Sequence, residues 1–282
     1  MYKDTHPINS LCITPSSSHL LVFTSSLSLR IYELPGSKEP LKKRIPPIRV
    51  VGRAHEAPIH VCKADPTSTY LASGSADGVV KVWDILHGFV THVFKGHGGV
   101  VSALTFSYPQ DLGSVIQDKT MHLITASVDT RIRIFNLVQG PSTSSGGGKP
   151  EAVLEGHVSV PRGLDVSLDG RWLVSGGRDS VVMIWDLFSS KNKEKKNTRK
   201  TPTLVKTIPI LERVEAVGLL MSDDDQFNPK IQLDQIQFYT GGEKGVVKIW
   251  DGSKGRMVQK LGDEQGHASA ELEEQRQIVN LL

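Results

Sequence analysis

Apolar and polar positions alternate along most of the chain in short runs, among them INSLCITP, HLLVFTSS and LSLRIYEL within residues 6–34. Turn residues separate the runs: Asp65-Pro66, Ala76-Asp77-Gly78 and Leu168-Asp169-Gly170. Alternation with a period of two, rich in β-branched residues and bounded by Gly, Pro and Asp, predicts half-buried antiparallel strands joined by tight turns. The expected class is therefore all-β.

The strand pattern itself repeats. His55–Asp84, His97–Asn136 and His157–Asp186 carry one arrangement, with Trp83 and Trp185 each standing 28 positions after their histidine. In the middle copy Phe135 takes the Trp position, and an insert, YPQDLGSVIQDK, stretches the interval to 38. Two looser copies flank these, residues 6–34 with Tyr32 at the aromatic position and residues 212–252 with Trp250-Asp251 but no Gly-His. Another copy would begin at Gly266-His267. Four strands per copy, repeated radially, make a β-propeller, and a period of this length with GH and WD at fixed separation is a specific signal for it.

Residues 70–104 (YLASGSADGVVKVWDILHGFVTHVFKGHGGVVSAL), 162–187 (RGLDVSLDGRWLVSGGRDSVVMIWDL) and 207–220 (TIPILERVEAVGLL) resemble the WD40-repeat family. Within it they are similar to the first propeller of the transducin β-like WD-repeat subunit of the UtpB complex, part of the small-subunit processome. The GHGG that follows THVFKG and the ERVEA that replaces a Gly-His discriminate more than GH and WD alone. The resemblance implies about five full blades plus the start of a sixth, an incomplete part of a seven-bladed propeller. Blades occupy residues 1–265, with repeats near 6–34, 55–86, 97–138, 157–188 and 212–252, and residues 266–282 start a further blade or form a short helix.

It also implies a non-catalytic scaffold in nucleolar pre-rRNA processing and small ribosomal subunit biogenesis. The implied partners are other WD-repeat subunits of a UtpB-type complex, a small nucleolar RNP and pre-rRNA, with no cofactor, metal, membrane or small-molecule substrate. A generic WD40 adaptor, such as a ubiquitin-ligase substrate receptor, is the alternative. It is disfavoured because the Arg such receptors often carry two residues after WD is Leu86, Phe188 or Ser253 here.

The recurring polar residues read as one structural network per blade in the family: His55, Ser73, Asp77 and Trp83; His97, Thr125 and Asp129; His157, Ser175, Asp179 and Trp185. A catalytic constellation is used once, whereas this one appears three times. Other catalytic signatures fail, since GGGKP at 146–150 lacks the surroundings of a phosphate loop and no HExxH, GxSxG or EF-hand loop occurs.

Composition refines the picture. The 282 residues include 26 Gly, 38% are hydrophobic and 22% charged, which excludes collagen-like, mucin-like and wholly disordered chains. With 33 Lys and Arg against 30 Asp and Glu the net charge is +3, so any basic surface is local. No apolar run reaches membrane-spanning length and MYKDTHPINS lacks the apolar core of a signal peptide. Cys12 and Cys62, with no ligand spacing, read as buried reduced thiols of an intracellular protein.

Strand alternation assigns the long loops to one rim. Residues 35–47, 139–150 and 188–202 follow a third strand, and 108–119 and 222–235 follow a first strand. The loops at 35–47, 139–150 and 188–202 read as flexible. Two are basic, through Lys42, Lys43 and Arg44 and through Lys191, Lys193, Lys195, Lys196, Arg199 and Lys200. Their readings are solvated loops, contact with RNA phosphates or an acidic partner, or a nuclear targeting signal.

Overall fold

The computed structural model describes residues 6–36, 45–108, 121–138, 148–187, 201–220 and 231–261. Among the described residues twenty strands form five four-stranded sheets, each built from strands consecutive in the chain. The first sheet comprises β1 (Ile8–Ile13), β2 (His19–Thr24), β3 (Leu29–Glu33) and β4 (Arg49–Val51). The second holds β5 (Ile59–Ala64), β6 (Tyr70–Ser75), β7 (Val80–Asp84) and β8 (Val90–Phe94), and the third β9 (Val101–Ser107), β10 (His122–Ser127), β11 (Ile132–Asn136) and β12 (Ala152–Leu154). The fourth contains β13 (Pro161–Val166), β14 (Trp172–Gly177), β15 (Val181–Asp186) and β16 (Thr203–Pro209), and the fifth β17 (Val214–Leu220), β18 (Gln237–Gly242), β19 (Val247–Asp251) and β20 (Arg256–Leu261). A 3-10 turn at Leu233–Gln235 is the only helical element among the described residues, so none of their helices is long and apolar enough to cross a membrane.

The chain divides into two compact units, one holding the first three sheets and the other the last two. In the first, Leu21, Phe23, Leu29 and Ile31 pack against Ile59, Leu71, Trp83 and Ile85 of the second sheet. Phe94 stacks on Phe135 of the third sheet, with centroids 4.3 Å apart. In the second unit Val174, Val182, Ile184, Val217, Phe238 and Trp250 share one core.

The outermost strand of each sheet lies downstream of the third-strand aromatic, beyond the repeat as the sequence alone delimits it; β8, for instance, follows Trp83-Asp84 and ends eight residues past 86. Alternation also fails where it was expected to hold, because β6 and β10 are buried along nearly their whole length. These second strands are covered on both faces, which favours small and apolar residues such as LASGS and LITAS over alternation. Predicted turns at Gly78 and Gly170 are present, with φ of +77° and +71° in the left-handed region that glycine enters without strain.

The third-to-fourth or first-to-second strand connections contain residues 35–47, 139–150, 188–202, 108–119 and 222–235. The lysines and arginines singled out at 42–44 and 191–200, and the segment 266–282, lie outside the described residues.

Candidate functional site

Register builds one niche in each of the last four sheets. The second strand offers a hydroxyl opposite a third-strand residue two positions before the aromatic: Ser73 faces Lys81, Thr125 faces Arg133, Ser175 faces Met183 and Thr240 faces Lys248. In the second, fourth and fifth sheets a bulge between the third and fourth strands falls at that aromatic, at Trp83, Trp185 and Trp250, and re-aims it. Each indole Nε1–H donates to the hydroxyl two residues beyond its register partner on the second strand, to Ser73, Ser175 and Thr240, all at 2.9 Å.

The fourth sheet completes a four-member chain. Ser175 Oγ, which accepts from Trp185, donates to His157 Nε2 at 2.8 Å, and His157 Nδ1–H donates to Asp179 Oδ2 at 2.8 Å. Asp179 Oδ2 also accepts the Val158 backbone N–H at 3.0 Å. The His157 and Asp179 side chains are 1% and 2% exposed. Burial holds the His157 imidazole below its ordinary range, against the pull of Asp179, so the ring is neutral at pH 7. Ser, His and Asp stand here in the order of a hydrolytic triad. The hydroxyl is nevertheless sealed from solvent and already engaged by an indole donor, which leaves no approach for a substrate.

The third sheet inverts the arrangement. Thr125 Oγ1 lies 2.7 Å from His97 Nε2, and Arg133 Nη1 donates to His97 Nδ1 at 2.6 Å and to Asp129 Oδ2 at 2.8 Å. Asp129 is thus linked to the histidine through a guanidinium; its nearest direct approach to the ring is 3.6 Å. Burial first, and the Arg133 charge second, push His97 down to about 4.

The second sheet departs from the expected network. Trp83, Ser73 and His55 are joined, with His55 Nε2 2.8 Å from Ser73 Oγ, but Asp77 turns outward and accepts the Val79 N–H at 2.9 Å instead of facing His55. His55 Nδ1 is buried without a hydrogen-bond partner among the described residues. Lys81 explains the difference. Its ammonium donates to the Ala54 carbonyl at 2.7 Å, 5.8 Å from the Trp83 ring centroid, and its charge adds to burial in pushing His55 down to about 4.

Glu212 fills the corresponding space in the fifth sheet, where no histidine stands. A Cβ on Gly242 would meet Glu212 Cδ at 2.5 Å, just as one on Gly177 would meet His157 Nδ1 at 3.0 Å. Lys248 Nζ pairs with the Glu212 carboxylate at 2.6 Å. In the first sheet Val22, opposite Arg30, occupies the hydroxyl position, and the hydroxyls gather instead at the next turn, with Thr24 Oγ1 2.8 Å from both Ser26 and Ser28.

Lys81, Arg133, Lys248 and Glu212 were not recognised from the sequence. The signal for Lys81, Arg133 and Lys248 was a charged residue two positions before Trp83, Phe135 and Trp250, on the same strand face; Glu212 carried no such signal. Among the described residues no three His, Cys, Asp or Glu side chains gather as metal ligands.

The family model for WD domain, G-beta repeat matches residues 47–84, 88–136 and 148–186. Transducin beta-like protein 3 of Bos taurus is 32% identical over 204 residues, 72% of this chain and 22% of the relative, and that of Homo sapiens is 30% identical over the same shares. U3 small nucleolar RNA-associated protein 13 of Saccharomyces cerevisiae is 29% identical over 267 residues, 92% of this chain and 27% of that protein. The chain spans about a quarter of the length of these relatives. With its five four-stranded sheets, its recurrent histidine, hydroxyl and indole niches and these matches, the chain is a WD40-repeat protein.

Proposed function

We propose that the chain is a non-catalytic scaffold segment of a UtpB-type complex in the small-subunit processome, acting in nucleolar pre-rRNA processing and small ribosomal subunit biogenesis. The similarity to U3 small nucleolar RNA-associated protein 13 across 92% of the chain carries this reading. The chemistry of the niches supports it. The polar side chains that recur from sheet to sheet are spent on one another inside the sheets, so recruitment falls to outer surfaces and connecting loops. Propellers host many functions, and the relatives rather than the fold favour this one. Protein contacts with other WD-repeat subunits are its main activity, and the lysines and arginines at 42–44 and 191–200 are the candidates for RNA phosphate.

Affinity purification from nuclear extract, with mass spectrometry and RNA sequencing of what co-purifies, tests the proposal. Processome subunits with U3 small nucleolar RNA are the expected yield. Recovery of cullin adaptors in their place would replace it with the ubiquitin-ligase reading.

A further inference from the structure

The two cysteines stand 50 positions apart in sequence, yet the fold of the first unit sets their strands, β1 and β5, side by side. Ser10 Oγ on β1 donates to Cys62 Sγ on β5 at 3.2 Å. Cys12 lies two residues beyond Ser10 and so shares its strand face, and both thiols pack against the same apolar cluster between the first and second sheets. Neither is sealed, since each remains partly exposed.

We propose that Cys12 and Cys62 form a redox-active dithiol, which hydrogen peroxide or a low-molecular-weight disulfide converts to a covalent bridge between the first two sheets. The Ser10 hydroxyl donates to the Cys62 sulfur, and Cys12 stands on the same face of β1 beside it. Its neighbour Cys12 first, against burial, and the Ser10 hydroxyl hold the Cys62 thiol below its ordinary value, while Cys12 is raised. A donated O–H stabilises a thiolate, so Cys62, which receives the Ser10 hydroxyl, is the attacking sulfur and Cys12 the resolving one.

With peroxide, the Cys62 thiolate attacks one oxygen, an S–O bond forms, the O–O bond breaks, and hydroxide leaves and is protonated to water. The Cys12 sulfur then attacks the Cys62 sulfenic acid, forming the S–S bond as the S–O bond breaks and a second water departs, with the Cys12 proton consumed in it. Overall two thiols and one peroxide give one disulfide and two waters. With a low-molecular-weight disulfide, Cys62 displaces one thiol to give a mixed disulfide, and Cys12 displaces the second.

The full chain, treated with hydrogen peroxide or oxidised glutathione, is denatured in N-ethylmaleimide and weighed intact. Reduced protein takes up two labels. Oxidised protein is expected to take up none, to weigh two hydrogens less as a monomer, to yield one linked peptide pair holding Cys12 and Cys62, and to recover both labels after dithiothreitol. Retention of two labels, linkage between chains, or over-oxidation without the linked pair would overturn the assignment. In C12S, glutathione is expected to remain on Cys62 as a stable mixed disulfide. The wild-type measurement stands alone if that variant does not fold.

Discussion

Arg133 Nη1 lies 2.6 Å from His97 Nδ1, on the ring edge that in His157 faces the Asp179 carboxylate. A guanidinium only donates, so His97 Nδ1 carries no proton and Nε2–H donates to Thr125; a carboxylate only accepts, so His157 carries its proton on Nδ1. Two copies of one niche thus hold opposite tautomers. The exchange is consistent within each sheet. Where Trp185 donates to Ser175, the hydroxyl passes its own proton to His157, and where Phe135 donates nothing, Thr125 is left to accept. Long-range nitrogen-15 spectra of the imidazoles should show the Nε2–H form for His97 and the Nδ1–H form for His157. One tautomer common to both rings would refute these hydrogen-bond directions.

Asp179 and Asp77 hold equivalent repeat positions but different work, and their substitutions should separate. Asp179→Ala leaves the His157 Nδ1–H and the Val158 N–H without their acceptor in a buried niche, a loss of about 2–3 kcal/mol. Asp77→Ala removes only an exposed turn contact to Val79, worth about 0.5–1 kcal/mol. Urea unfolding of the two variants reads the difference. Equal losses would mean that Asp77 serves His55 after all.

The strand rhythm, the turns at Gly78 and Gly170 and the histidine-to-tryptophan interval were legible because each is local and periodic. Which carboxylate meets which histidine was not, because third-strand residues decide it. Lys81 and Arg133 look like the polar half of an alternating strand in KVW and RIF, and only the sheet shows that they enter the niche beside the imidazole. Glu212 was invisible for another reason: it performs the histidine's spatial role without its chemistry. The proximity of Cys12 and Cys62 is a property of strand packing between two sheets and has no sequence spacing to announce it.

Acid should weaken the fold through two buried histidines, beginning near pH 6.5. His55 and His97, near 4 when folded against an ordinary value of 6.5, are neutral in the native state and protonated in the unfolded one between those values. The unfolded chain then binds more protons, so the stability due to this pair is complete above about pH 6.5 and is lost as pH falls towards 4. At about 1.4 kcal/mol per pH unit the loss is about 3 kcal/mol for each ring. Asp129, whose hydrogen bonds from Gly98 and Arg131 overcome the upward push of burial, contributes only at lower pH, as it protonates. Urea midpoints from pH 7.5 to 4.5 should fall steadily from about 6.5, and His55→Gln should flatten that slope. A flat profile down to pH 4.5 would show the rings to be unperturbed.

Glu212 and Lys248 form a buried ion pair at 2.6 Å, with side chains 2% and 18% exposed. Removing one partner strands the other charge, so Glu212→Gln or Lys248→Met alone should cost about 3–5 kcal/mol. Met is the residue that the fourth sheet already carries at this position, as Met183. The double variant should therefore recover most of the loss, and the double-mutant cycle should show coupling of about 2 kcal/mol or more. Additive losses would place the two charges in independent environments.

Glycine at one register position tells whether a neighbouring sheet presses on it. Gly74 faces Val80 and Gly176 faces Val182 within their sheets, and Gly241 stands in the same place opposite Val247. A Cβ on Gly74 would meet Val101 Cγ1 at 2.5 Å and Val101 Cβ at 2.7 Å, and one on Gly176 would meet Val214 Cγ1 at 2.7 Å. Branched side chains rooted in the adjacent first strand cannot swing aside without moving that strand. Gly74→Ala and Gly176→Ala should thus destabilise by about 1–3 kcal/mol through overpacking. On Gly241 the added methyl meets only Ala216 Cβ, at 3.7 Å, an ordinary contact. There alanine should be neutral or stabilise by up to about 1 kcal/mol, because it restricts the unfolded chain more than the folded one. Chemical denaturation of the three variants under one condition decides it, and a Gly241→Ala loss as large as that of Gly74→Ala would mean that the fifth sheet is pressed from a side where no neighbour is described.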